Sequence, residues 1–249
     1  IKQMDEAGFD ILTPMTTPCL TATVGMARKT PVVFAIVYDP VAAGAGRDFT
    51  NHLPNVTGVG CFPPLEETMD YIRRLVPGVK KIGTIYNPAE ANSCKAVQIA
   101  DEILAKRGIT LEKITVMSVS ELNTAALAVV QRGIDALWIT GDNTVLSGFS
   151  AVATVAKNAR LAVVCNDLVI DDYGAVAAVG ADFYESGYAA AAPALRVLKG
   201  EDPGSIPFSN VSISRVAMNP AYAREIGLAL NNEAIAAADE LSGPPVKKM

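Results

Sequence analysis

Short apolar runs recur along the chain, each closed by a polar cluster that opens an amphipathic stretch. Lys81–Tyr86 is followed by Asn87-Pro88-Ala89-Glu90-Ala91-Asn92-Ser93, Ala136–Thr140 by Gly141-Asp142-Asn143-Thr144, and Leu161–Cys165 by Asn166-Asp167. Pro31–Tyr38 is almost wholly apolar, the pattern of a strand covered on both faces. The same reading predicts strands over Asp10–Thr16, Lys113–Val119 and Ala175–Gly180. Helical spacing predicts helices over Thr17–Arg28, Leu65–Val76, Glu90–Arg107, Ser120–Arg132, Val145–Asn158 and Tyr184–Leu198. Gly108, Gly133 and Gly200 stand where such helices should stop, and Pro193 should kink the last one. Beyond Gly204, Pro207–Ala217 reads as extended and Pro220–Leu241 as helical, with a frayed tail over 242–249.

Alternating strands and helices imply parallel sheets with right-handed crossovers. Residues 79–209 read as one self-contained lobe with its own sheet. Residues 1–78 hold only two clear strands, too few for a covered sheet. The first lobe is therefore expected to combine 1–78 with 210–249, or to draw on chain missing before Ile1.

Composition narrows the function. Half of the 249 residues are hydrophobic, 19% are charged and the net charge is −5, with no basic stripe to suit nucleic acid. No apolar run approaches the roughly 20 residues of a membrane span. Cys19, Cys61, Cys94 and Cys165 share no metal-ligand spacing, and the single histidine, His52, reads as a surface residue in a loop. One histidine argues against Ser-His-Asp or Cys-His chemistry. Gly58-Val59-Gly60 lacks the third glycine of a dinucleotide fingerprint, and no cofactor motif is present. An enzyme built on Asp142, Asp167 or Cys165 is the weakest reading.

In parallel α/β sheets, ligands collect at the carboxyl ends of strands. Thr16 and Thr17 open a helix, where free N–H groups suit a carboxylate or where they serve as a plain cap. Tyr38 and Asp39 end the most apolar strand; the pair offers a ring and a carboxylate, or a turn before Pro40. Tyr86, Asn87, Glu90 and Asn92 follow another strand. Asp142 and Asn143 follow Gly141, and Asn166 and Asp167 come next along the sheet. Asp167, then Asp142, are the first choices to meet an ammonium group. The candidate loops carry no arginine, which favours a zwitterionic or neutral ligand over a phosphate.

The stretch Lys80–Ser93, with Gly141-Asp142-Asn143-Thr144-Val145, Asn55-Val56-Thr57-Gly58-Val59 and Tyr38-Asp39-Pro40-Val41, resembles the tryptophan/tyrosine-type family of ABC-transporter substrate-binding proteins. The resemblance runs from about Phe9 to Leu241. It implies a type I periplasmic-binding-protein fold: two Rossmann-like lobes joined by a hinge, with a ligand held between them. Family members begin with a further strand, helix, strand and helix, so the resemblance implies a first lobe truncated at its start. It also implies an amino acid-like ligand, aromatic or branched, an ABC permease as partner, no cofactor, and a periplasmic or extracellular lipoprotein whose signal sequence lies outside this chain. A ligand-sensing domain of a receptor or regulator is the alternative that the same fold allows.

Overall fold

A computed structural model of the chain describes residues 1–168, 174–211 and 213–241. The tail expected to fray, 242–249, lies outside the described residues. The apolar runs become strands of two separate parallel sheets, and the chain divides accordingly. One unit is Ile1–Phe62 with Ala181–Ile213; the other is Pro63–Gly180 with Ser214–Met249.

In the first unit, Val32–Val37 lies at the edge of a three-stranded sheet, beside Val56–Gly60, which in turn pairs with Ser209–Asn210. Every paired register is parallel. All of Val32–Val37 is buried except Ile36, because each face is covered. On one face, Phe34 packs with Leu20 of the Thr17–Met26 helix and with Phe208, ring centroids 4.9 Å apart in an edge-to-face pair. On the other face, Val33 and Ala35 pack against Val197 and Ala190 of the Phe183–Leu198 helix. Full burial of a side chain such as Phe34 contributes about 1.5–3 kcal/mol, so these contacts dominate the unit's stability. Gly58 earns its place sterically: a Cβ there would lie 2.3 Å from the Phe34 carbonyl oxygen. The strand expected over Asp10–Thr16 reduces to two parallel bridges, Leu12 with Val32 and Met15 with Ala35.

In the second unit, one sheet runs through Glu240–Leu241, Ser214–Met218, Ala177–Ala181, Ala162–Cys165, Ala136–Ile139, Lys81–Tyr86 and Thr110–Thr115, in that order across. Leu137, Ile139, Val163 and Cys165 face the helices Leu122–Gln131 and Phe149–Asn158 in one core. On Trp138, fully buried, the indole N–H donates to Asn166 Oδ1 at 2.8 Å. The helix expected over Val145–Asn158 is broken at Gly148, giving Asn143–Ser147 and Phe149–Asn158. Ser120 caps nothing; it lies in a short 3-10 turn, Val119–Glu121, ahead of the helix.

The division departs from the expected one, 1–78 with 210–249 against 79–209. Ser214–Met218 extends the second unit's sheet next to Ala177–Ala181, so the C-terminal segment belongs there. The Phe183–Leu198 helix covers the first unit's strands, so residues 181–209 belong there instead. His52 is also not a free surface residue: its ring stacks on Phe208 at 4.1 Å and 19°.

Candidate functional site

The carboxyl ends of the second unit's strands converge on one polar cluster. Glu90 ends the loop after Lys81–Tyr86, and Asp142 to Thr144 follow Ala136–Ile139. These strands are neighbours in the sheet, which brings residues 53 positions apart together. Glu90 Oε2 accepts from the Asn143 backbone N–H at 2.9 Å and from Asn143 Nδ2 at 2.7 Å. Glu90 Oε1 accepts from the Thr144 N–H at 2.9 Å and from the Thr144 hydroxyl at 2.7 Å. Burial pushes the Glu90 pKa up, but the hydrogen bonds from Asn143 and Thr144 outweigh it and hold the carboxyl below its ordinary value.

Asp142 runs the opposite exchange. Its Oδ2 accepts the Asn87 N–H at 2.7 Å, and its Oδ1 accepts the Val145 N–H at 2.9 Å, capping the Asn143–Ser147 helix. It is 0% exposed, and burial raises its pKa despite these bonds. Asn87 Nδ2 donates to the Thr144 hydroxyl at 2.9 Å, and Asn92 Nδ2 to the Gly141 carbonyl at 2.9 Å. Two loops are thereby laced together, each by the other's carboxylate.

Of the polar candidates, Asn87, Glu90, Asn92, Asp142 and Asn143 thus form one network. Thr144, from the same candidate loop, is its hub. Tyr86 lies half-buried just before it. Asn166 is drawn inward: at 1% exposure it accepts from Trp138, and its Nδ2 donates to Thr68 Oγ1 at 2.9 Å and to the Val179 carbonyl at 2.6 Å. Asp167 stays half-buried, its carbonyl accepting the Cys165 thiol at 3.1 Å. Asn143 is half-buried, and its Oδ1 makes no hydrogen bond among the described residues. Three further oxygens, Thr84 Oγ1, Thr140 Oγ1 and Asn92 Oδ1, are buried without a hydrogen-bond partner among the described residues.

In the first unit, Thr16 precedes the Thr17–Met26 helix, and no side chain caps that helix. Thr17 is 4% exposed, and its hydroxyl has no hydrogen-bond partner among the described residues. Thr16 and Ile36 both hold left-handed backbone angles, φ 73° and 54°, and the Thr16 N–H donates to the Ile36 carbonyl at 3.1 Å. Such conformations cost β-branched residues on the order of 1–3 kcal/mol each and cluster where function requires them. Asp39 Oδ1 accepts the N–H groups of Val41 and Ala42, at 2.9 and 3.0 Å, so the turn-forming role is realised. Tyr38 packs edge-to-face on Phe62 at 5.9 Å.

A family model of the ABC transporter substrate binding protein matches residues 1–242. The chain belongs to that family. As a member it is 28% identical over 210 residues to the tyrosine-binding protein of Clostridioides difficile. That match covers 84% of this chain and 61% of the relative, so the chain spans about three fifths of that protein's length. The crystal structure of a conserved domain protein from Vibrio cholerae superposes with a TM-score of 0.91 at 28% identity, over 97% of this chain and 81% of that one. A Streptococcus pneumoniae ABC domain in complex with L-Trp gives 0.91 at 27% identity, with the same coverage. These likenesses show the α/β architecture with parallel sheets of type I periplasmic binding proteins. No helix among the described residues is long and apolar enough to cross a membrane.

Proposed function

We propose that this family member is the extracytoplasmic solute-binding component of an ABC importer, and that it captures an amino acid with an aromatic or branched side chain without transforming it. The observation that carries the reading is the family match joined to a related domain solved with L-Trp. Within each unit, loops at the carboxyl ends of strands offer candidate contacts. The uncapped N-terminus at Thr16 and Thr17 suits the α-carboxylate, with the unpartnered Thr17 hydroxyl as an added donor. Asn143 Oδ1 and the Asp167 carboxylate suit the ammonium group, and Tyr38 and Tyr86 the side chain. Asp39 stands beside Tyr38 and shapes that loop through its turn. Glu90, Asp142, Asn87 and Asn92 hold the second unit's loops in place, and Asn166 supports them from the interior.

An ABC permease is the partner that such a component delivers to, and a lipid-anchored extracytoplasmic protein is the form that fits this delivery. The transporter-component family favours this over a receptor or regulator domain. Titration calorimetry with L-Trp, L-Tyr, L-Phe, L-Leu and a monosaccharide tests it. Saturable heat with at least one of the amino acids is expected. A folded protein silent to every amino acid, or one that responds to the sugar alone, refutes the reading.

A further inference from the structure

The geometry points to Glu90 as a positioning residue that sets the polarity of the ligand seat, turning the Asn143 amide so that it offers an acceptor and selects a ligand carrying an ammonium group. The inference rests on the functional reading above and deepens it.

An ionised carboxylate accepts hydrogen bonds and donates none. Whatever group of Asn143 faces Glu90 Oε2 must therefore be the amide nitrogen, and the 2.7 Å contact shows that Nδ2 does so. The Asn143 N–H reaches the same oxygen at 2.9 Å, so the backbone and the side chain are both fixed by one atom. The other oxygen, Oε1, holds the Thr144 N–H and hydroxyl, which leaves Glu90 no freedom to turn away. With one N–H of Nδ2 held by Glu90, the amide is fixed in orientation, and its Oδ1, on a half-buried side chain, has no partner among the described residues. Asp142, the other carboxylate of the cluster, is fully buried and serves backbone N–H groups, so it cannot take over that task. An amide carbonyl held in this way welcomes a donor and repels a second acceptor. A neutral amide at position 90 could donate as well as accept, and would let the Asn143 amide turn over.

The test compares L-Trp, or whichever panel amino acid binds best, with its analogue lacking the ammonium group, such as 3-indolepropionate. It measures the ratio of the two dissociation constants in wild type, Glu90→Gln and Asn143→Ala. The wild type should prefer the amino acid, and each variant should shrink that preference about tenfold or more, since a hydrogen bond to a charged group is lost. The double variant should do no worse than either single one. General damage to the loop weakens both ligands alike and leaves the ratio unmoved. A Glu90→Gln protein that binds with an unchanged ratio overturns the proposal. If that variant does not fold, an unchanged ratio in Asn143→Ala overturns it equally. A folded wild type that binds no amino acid removes the functional reading and this inference with it.

Discussion

Asp142→Ala should destabilise the second unit by about 3 kcal/mol. The carboxylate is fully buried and closes two backbone donors, the Asn87 N–H at 2.7 Å and the Val145 N–H at 2.9 Å. Alanine leaves both N–H groups buried with no acceptor. Each orphaned donor costs about 1–3 kcal/mol, and the second also removes a helix cap. Against this stands the relief of a carboxylate that burial disfavours, which its raised pKa records. That relief places the loss in the lower half of the summed range. Asp142→Asn keeps the shape and one acceptor but sets an NH2 group against the other N–H, so about half the loss is expected.

The chain supplies its own probe for this measurement. Trp138 is the single tryptophan, has no exposed surface, and sits in the core of the same unit. Urea unfolding followed by its fluorescence therefore reads the unit that contains Asp142, and the midpoint shift at constant slope converts to free energy. A shift worth less than about 1 kcal/mol for Asp142→Ala would falsify the claim that this side chain is a structural acceptor, and would return it to the list of ligand contacts.

Three further outcomes follow from individual side chains. Thr84→Val replaces a fully buried hydroxyl, which has no partner among the described residues, with a methyl of the same shape, and should stabilise the second unit by about 1 kcal/mol in the same urea assay; a loss of stability means that the hydroxyl has a partner. Asp5 accepts the N–H groups of Thr30, Arg28 and Lys29, which hold its pKa at about 2 against an ordinary 3.8. A depressed carboxyl stabilises the fold above its unfolded value and loses that contribution as pH falls through its folded value, so Asp5→Asn should flatten the decline in stability between about pH 4 and pH 2; an unchanged acid slope refutes the assignment. Burial pushes the Cys61 and Cys165 thiols up to about 12, while Cys19 is exposed. A thiol reagent should therefore label Cys19 in the native protein and reach Cys61 and Cys165 only on unfolding, and fast native labelling of either buried thiol contradicts their placement.

What could be read from the chain alone divides along physical lines. Val32–Val37 and Ala136–Ile139 were legible because strands buried on both faces need unbroken apolar runs, a local property. The division of the chain was not, because it turns on which sheet Ser214–Met218 joins, and its partners lie far away in sequence. The strand over Asp10–Thr16 is reduced for a similar reason: its residues suit a strand, but beside Val32–Val37 it keeps only two isolated bridges, at Leu12 and Met15.

The candidate site shows the same limit at finer scale. A polar cluster after an apolar strand marks the carboxyl end of a parallel sheet, so Asn87, Glu90, Asp142 and Asn143 could be picked out as site residues. Their roles could not, because a role depends on which atom faces which across neighbouring loops. Two acids, each beside amides and a threonine, look alike in sequence as partners for an ammonium group. In the fold, each acid meets the donors of the opposite loop: Glu90 those of Asn143 and Thr144, Asp142 that of Asn87. Buried carboxylates persist where several donors surround them, and here the donors are loop backbone together with the side chains of Asn143 and Thr144. Glu90 and Asp142 thus fasten the loops, and the contacts proposed for Asn143 fall to a neutral group that Glu90 orients. A strand-end acid in such a sheet is better read first as the fastening of the adjacent loop, with direct contact reserved for one that keeps exposed surface, as Asp167 does and Asp142 does not.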